Sequence, residues 1–180
     1  MKIGLIGAAG LGKSTFAKEI SKQYDLVFLK SKDITRPILK KFKYQYTECV
    51  EYFLSKKEIE FELISERIYQ ESILKTGFVT DRTILECFAY ALLNCNEYSN
   101  DELDLLENLC KKQIKNYTHL FYFPYECGWF EENGIRTTNA YFQRKVDMII
   151  RGLLKDWNVS YFAVPEKKEE IKQFIFNSLN

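Results

Sequence analysis

One short segment near the start of the chain constrains its fold more than any other. Residues 7–14 read Gly-Ala-Ala-Gly-Leu-Gly-Lys-Ser and match G-x-x-x-x-G-K-[ST] without deviation. The apolar run before it, residues 2–6, suits a buried strand. Residues 13–23 then carry a helical pattern, with Phe16, Ile20 and Gln23 near one face. A glycine-rich turn between strand and helix lets backbone N–H groups point inward at an anion. The following helix presents its positive end to the same anion. Gly7, Gly10, Leu11, Gly12, Lys13, Ser14 and Thr15 are therefore expected to hold a nucleoside triphosphate such as ATP. Lys13 would reach the β- and γ-phosphates, and the Ser14 hydroxyl would complete a magnesium (Mg2+) shell. Average residue usage brings the four fixed positions together, in a chain this long, on the order of once in a hundred. The flanking strand and helix make coincidence rarer still.

The rest of the chain repeats the alternation of strand and helix. Residues 26–29 read as a second strand, and Thr35 with Pro37 as the start of a helix. Residues 48–75 are helical in two pieces, the second placing Ile59, Leu63, Ile64 and Ile68 on one face. Gly77 stops that helix, and residues 78–81 form a third strand. Helices follow over 84–93 and 101–115, the latter capped by Asn100 or Asp101. Residues 118–123 form a fourth strand, stopped by Pro124, and a polar segment runs on to Thr138. A helix over 139–156, a strand over 159–164 and a helix over 166–179 complete the order. Apolar strands separated by helices predict a single α/β domain over residues 1–180, with a parallel sheet covered on both faces.

Composition excludes several classes. Net charge is +1, from 26 basic and 25 acidic residues, so the strongly basic footprint of a nucleic-acid binder is missing. No apolar run approaches the roughly 20 residues that span a bilayer. Glycines interrupt the N-terminal apolar stretch, which therefore reads as mature structure and not as a secretion signal. The five cysteines (Cys49, Cys87, Cys95, Cys110 and Cys127) are odd in number and lack C-x-x-C spacing. Reduced thiols fit a cytoplasmic protein. The only histidine, His119, falls in an apolar strand, where a buried structural role is expected. The pattern leaves oligomeric state open, a homodimer included.

Several charged residues stand where chemistry could use them. Asp81 ends the third strand, where a carboxylate either orients magnesium or caps the next helix. Arg82 follows it and could neutralise charge on a transferred phosphoryl group. Asp33, just past the second strand, could accept the proton of an attacking hydroxyl or cap a helix. Gly134-Ile135-Arg136 lies in the polar segment, with Arg144, Lys145 and Arg151 on the helix beyond. A lid over about 124–151 carrying Arg136 and Arg144 would exclude water, with a solvated helix face as the alternative for Arg144 and Arg151. Lys40-Lys41-Phe42-Lys43-Tyr44 is either an exposed helix end or a patch for nucleic acid. Phe42, Tyr44, Tyr46, Tyr52 and Phe61 either stack on a base or fill core.

With these residues placed, the chain resembles the P-loop kinases related to NadR-type nicotinamide riboside kinases and the small nucleoside and nucleotide kinases of bacteria and phages. The resemblance rests on Thr80-Asp81-Arg82-Thr83 with the helix after it, and on Gly134-Ile135-Arg136, which look like the D-R-[ST] and G-x-R segments of that group. Asp33 and Arg36 match its E-x-x-R segment, with Asp replacing Glu, which implies contact with the acceptor. The implied fold is a five-stranded parallel sheet of order 2-3-1-4-5. The implied activity is magnesium-dependent transfer from ATP to a nucleoside, nucleotide or related small hydroxyl acceptor. Two other readings stay open: a nucleotide-binding regulator, and a kinase acting on a base or sugar within nucleic acid.

Overall fold

The computed structural model describes residues 1–44, 56–127 and 139–180. Five strands, β1 (Lys2–Ile6), β2 (Val27–Leu29), β3 (Phe78–Thr80), β4 (His119–Tyr122) and β5 (Phe162–Ala163), form one sheet. Its order is β2-β3-β1-β4-β5, and all neighbours are parallel. The helices are α1 (Lys13–Tyr24), α2 (Ser31–Lys41), α3 (Lys57–Ile73), α4 (Ile84–Leu93), α5 (Asn100–Ile114), α6 (Ala140–Asp156) and α7 (Lys168–Leu179). The α/β class and the strand order expected from the sequence are both found. No helix among the described residues is long and apolar enough to cross a membrane.

The register decides what meets at the carboxyl edge. Gly4 pairs with Thr80 and with Leu120, and Leu29 pairs with Thr80. Chain leaving β1, β2 and β3 therefore emerges side by side, which brings residues 7–14, Ser31 and Asp81 together. Gly4 leaves room for this packing, since a Cβ there would lie 2.5 Å from Thr83 Cγ2 and 2.7 Å from Leu120 Cδ2 and would displace those side chains. Under the loop, α1 buries Phe16, Ala17 and Ile20, with the Phe16 ring 5.7 Å from Phe123. Each such large apolar side chain contributes roughly 2 kcal/mol when fully buried.

Four expectations are corrected. Gln23 is exposed, because the next inward position after Ile20 is Tyr24, which stacks on Phe176 at 6.0 Å. Helix α2 begins at Ser31, not at Thr35, and encloses Pro37. Its first turn is stabilised from a distance, since the Ser31 amide donates to Asp81 Oδ1 at 2.9 Å. The cap of α5 is Ser99, whose Oγ accepts from Glu102 N at 3.3 Å while Glu102 Oε2 accepts from Ser99 N at 2.8 Å. His119 is half-buried at the start of β4, stacked on Phe162 of the edge strand at 6.4 Å, and does not lie in the core. Cys87, Cys95, Cys110 and Cys127 are free thiols, and Cys49 lies outside the described residues.

Candidate active site

The loop takes the shape its glycines permit. Gly7, Gly10 and Gly12 have φ of 145°, 90° and 72°, and a Cβ on Gly7 would lie 2.5 Å from Phe123 O. Lys13 is buried, and its Nζ donates to Gly7 O at 2.5 Å and Ala8 O at 2.7 Å. Leu11 anchors the loop tip in the core, Gly12 precedes α1 directly, and Ser14 and Thr15 are exposed.

Two residues not anticipated from the sequence hold this loop. Glu86 of α4 is buried, with Oε1 3.6 Å from Lys13 Nζ and accepting from Gly7 N at 3.3 Å. Its Oε2 accepts from Thr83 N at 2.6 Å and Thr83 Oγ1 at 2.9 Å. Burial pushes the Glu86 carboxyl above its usual range, while Lys13, Arg82 and the Thr83 bonds pull it down. Gln143 of α6 accepts from Ala9 N at 3.1 Å. The signal for Glu86 was legible as the Thr83-x-x-Glu86 capping box that opens an otherwise apolar run. Nothing in the pattern marked Gln143.

Ser14 and Asp81 meet at the mouth of the loop. Ser14 Oγ donates to Asp81 Oδ2, and the other Asp81 oxygen accepts the Ser31 amide. Magnesium in phosphate sites takes one or two protein oxygens and completes its shell with phosphate and water. A hydroxyl and a carboxylate in contact beside the N-terminus of α1 fit that requirement. Among the described residues no group of three or more His, Cys, Asp or Glu forms a fuller cage.

Beyond Asp81 the chain lines a second cavity. Arg82 is half-buried, with its guanidinium 4.9 Å from the centre of the Tyr90 ring. Arg67, fully buried on α3, donates to Arg82 O at 2.6 Å and Thr80 Oγ1 at 3.2 Å, and lies 3.6 Å from Glu71. Ser31, Thr35, Glu60, Arg67, Arg82 and Tyr90 contribute the polar and aromatic lining.

The remaining sequence candidates are not gathered with this cluster by any described contact. Asp33 and Arg36 are exposed on α2, and Asp33 lines a different cleft, shared with Glu62, Glu66 and Gln70 of α3. Arg144 is exposed on α6. Arg136 and residues 128–138, the centre of the expected lid, lie outside the described residues. Arg151 is exposed on α6 and paired. It donates to Asp147 Oδ2 at 2.7 Å, Tyr122 Oη at 2.8 Å and Glu126 Oε2 at 2.5 Å, joining α6 to β4. In the Lys40–Tyr44 stretch Lys41 pairs with Glu62 at 2.7 Å, which consumes one cation of the patch. Phe42, Tyr44 and Phe61 pack on the core, and Tyr46 and Tyr52 lie outside the described residues.

Comparison with known proteins follows the same lines. No curated protein matches the sequence. Deoxyadenosine kinase from M. mycoides with bound dCTP is similar at TM-score 0.69 and 18% identity, over 100% of this chain and 99% of that one. NadR protein in complex with NR is similar at TM-score 0.73 and 13% identity, over 98% of this chain and 50% of NadR. Thymidylate kinase from Candida albicans is similar at TM-score 0.68 and 19% identity, over 98% and 89% of the two chains. At these identities the likeness is one of fold. The AAA domain family matches residues 2–172, nearly the whole length. The chain belongs to that AAA domain family and has the fold of the P-loop nucleoside and nucleotide kinases.

Proposed function

We propose that this chain transfers the γ-phosphoryl of ATP to a hydroxyl of a nucleoside, nucleotide or similarly small acceptor. The observation that carries the reading is the contact chain Ser14–Asp81–Ser31. It connects the mouth of a phosphate loop to a lined cavity between α2, α3 and α4. A simple triphosphate binder would need the loop but not that neighbouring cavity. The names of the similar structures, two of them nucleoside or nucleotide kinases, support the acceptor class.

Loop amides and Lys13 would bind the polyphosphate, with phosphate oxygens replacing the Gly7 and Ala8 carbonyls as partners of Nζ. Ser14 and Asp81 would hold magnesium, which when bound neutralises charge on the β- and γ-oxygens. Arg82, half-buried beside Asp81, would stabilise charge on the transferred group, where reduced access to water strengthens the effect. Asp33, in the first turn of the helix that Ser31 opens but lining the neighbouring cleft, would take the proton of an acceptor hydroxyl presented on that side, with Arg36 one turn on assisting acceptor binding. Arg144, exposed on α6, is available to the triphosphate.

The test is incubation with γ-labelled ATP and magnesium against a panel of nucleosides and nucleotides. A labelled small product is expected from at least one acceptor. Saturable Mg-ATP binding with no labelled product from any of them would favour a non-catalytic regulator instead.

A further inference from the structure

The first three peptide groups of the phosphate loop are each tied down. Ile6 O accepts from Phe123 N at 2.8 Å, and Gly7 N donates to Glu86 of α4. Gly7 O and Ala8 O both accept from Lys13 Nζ. The last tie comes from far along the chain, where Oε1 of Gln143 accepts from Ala9 N across 134 residues. Gln143 is itself held. It is buried in the first turn of α6, and its own amide donates to Asn139 O at 3.1 Å. Asn139 Oδ1 accepts from Tyr141 N and Phe142 N, which caps that turn. Val146 and Ile150 continue the same face into the core, and α6 packs on α4, the helix that carries Glu86. Both side chains that grip loop amides thus stand on helices braced against one another.

A trans peptide points its C=O and its N–H to opposite sides of the chain. Ala8 O faces Lys13 at 2.7 Å on one side of the loop, and Ala9 N faces Gln143 at 3.1 Å on the other. These are the two ends of one peptide plane. Turning that plane to give Ala9 N another acceptor would swing Ala8 O away from the ammonium. Lys13 is buried and takes its place from the groups around it. Resting on the triphosphate-binding part of the reading above, we propose that Gln143 is a positioning residue for the phosphoryl donor. It fixes the Ala8–Ala9 plane, the plane fixes the Lys13 ammonium, and the ammonium meets the phosphates. An amide suits the task because its oxygen accepts without carrying charge. A carboxylate at 143 would accept as well but would repel the incoming polyanion. Glu86 differs, since the Lys13 ammonium lies 3.6 Å from it.

The test is a double-mutant cycle on binding, with transfer measured separately so that the two readings can fail separately. Mg-ATP is titrated calorimetrically into wild type, Gln143→Met, Lys13→Ala and the variant carrying both changes. Methionine matches the length of glutamine and lacks the accepting oxygen. Gln143→Met is expected to weaken Mg-ATP at least tenfold. In the Lys13→Ala background the same change should cost less than twofold, because the ammonium through which it acts is gone. A residue that merely supported the fold would cost the same factor in both backgrounds. Gln143→Asn keeps the amide but falls one methylene short. It is read by the same ratios and carries the test if Gln143→Met does not melt cooperatively. A smaller loss from wild type, or a loss as large in the Lys13→Ala background, would overturn the proposal. The expected ratios without transfer to any acceptor would overturn the kinase reading while supporting this one. No saturable binding by wild type would overturn both.

Discussion

The phosphate loop and the cavity beside it treat buried polar groups in opposite ways. Around the loop, Lys13 bonds Gly7 and Ala8 carbonyls and faces Glu86, while the Gly7 and Ala9 amides are met by Glu86 and Gln143. In the cavity, Glu60 and Arg67 Nε are buried and unmet. A satisfied site is rigid before its ligand arrives, and an entering polyphosphate exchanges one set of bonds for another. An unsatisfied site draws its affinity from groups that the fold leaves costly to bury, about 1–3 kcal/mol each.

The largest effect that separates the two regions is expected from Asp81→Asn, which takes the carboxylate from Ser14. Transfer should fall about a thousandfold in a steady-state assay, on the scale of losing a positioned electrostatic group. A loss under tenfold would place the metal-orienting oxygen elsewhere. Asp33→Asn should lower transfer several hundredfold, as for loss of a general base, with ATP affinity retained. Unchanged turnover would remove Asp33 from the mechanism.

Glu60→Met addresses stability. The folded carboxyl titrates at about 8 against an ordinary 4.5, facing Arg82 and close to Cys87 and Tyr98. Below pH 4.5 both folded and unfolded chains hold the proton, and Glu60 adds no penalty of ionisation. As pH climbs towards 8 the unfolded chain releases it first, so wild type loses stability across that window. Urea melts should show the variant gaining on wild type by on the order of 5 kcal/mol between pH 4 and pH 9. A constant difference would mean that Glu60 does not titrate as its burial implies. The smallest effect is expected from Arg151→Leu, because Arg151 is about half exposed and its ion pairs are screened. A loss of about 1 kcal/mol or less, with unchanged ATP affinity, would confirm its place as a brace between α6 and β4.

What could be read in advance divides along the same line. The loop was legible because its geometry needs glycine at fixed positions, and positive φ is found at Gly7, Gly10 and Gly12. Asp81 was legible from its place after an apolar strand, and it does meet Ser14. The sheet order rested on resemblance, and the register bears it out. Glu60 was hidden because Ile59, Leu63 and Ile64 marked the inward face of α3 while Glu60, Arg67 and Glu71 share it. Three charges at that helical spacing on an apolar face were the available signal. The start of α2 was hidden for another reason: the group that receives its first amide, Asp81, lies 50 residues away. Arg151 read equally as a lid cation or a solvated helix face, because a helix pattern shows a cation but not the acid that meets it from another segment, here Glu126. Tertiary partners decide such cases, and local sequence does not contain them.

The central claim is that the amides of residues 7–14 and the Lys13 ammonium grip a polyphosphate at the head of α1. Calorimetric titration of wild type and Lys13→Ala with Mg-ATP tests it most directly. Saturable binding by wild type, weakened at least a hundredfold in a Lys13→Ala variant that still melts cooperatively, is the predicted result. Equal affinity in the two proteins, or no saturable binding by wild type, would contradict it.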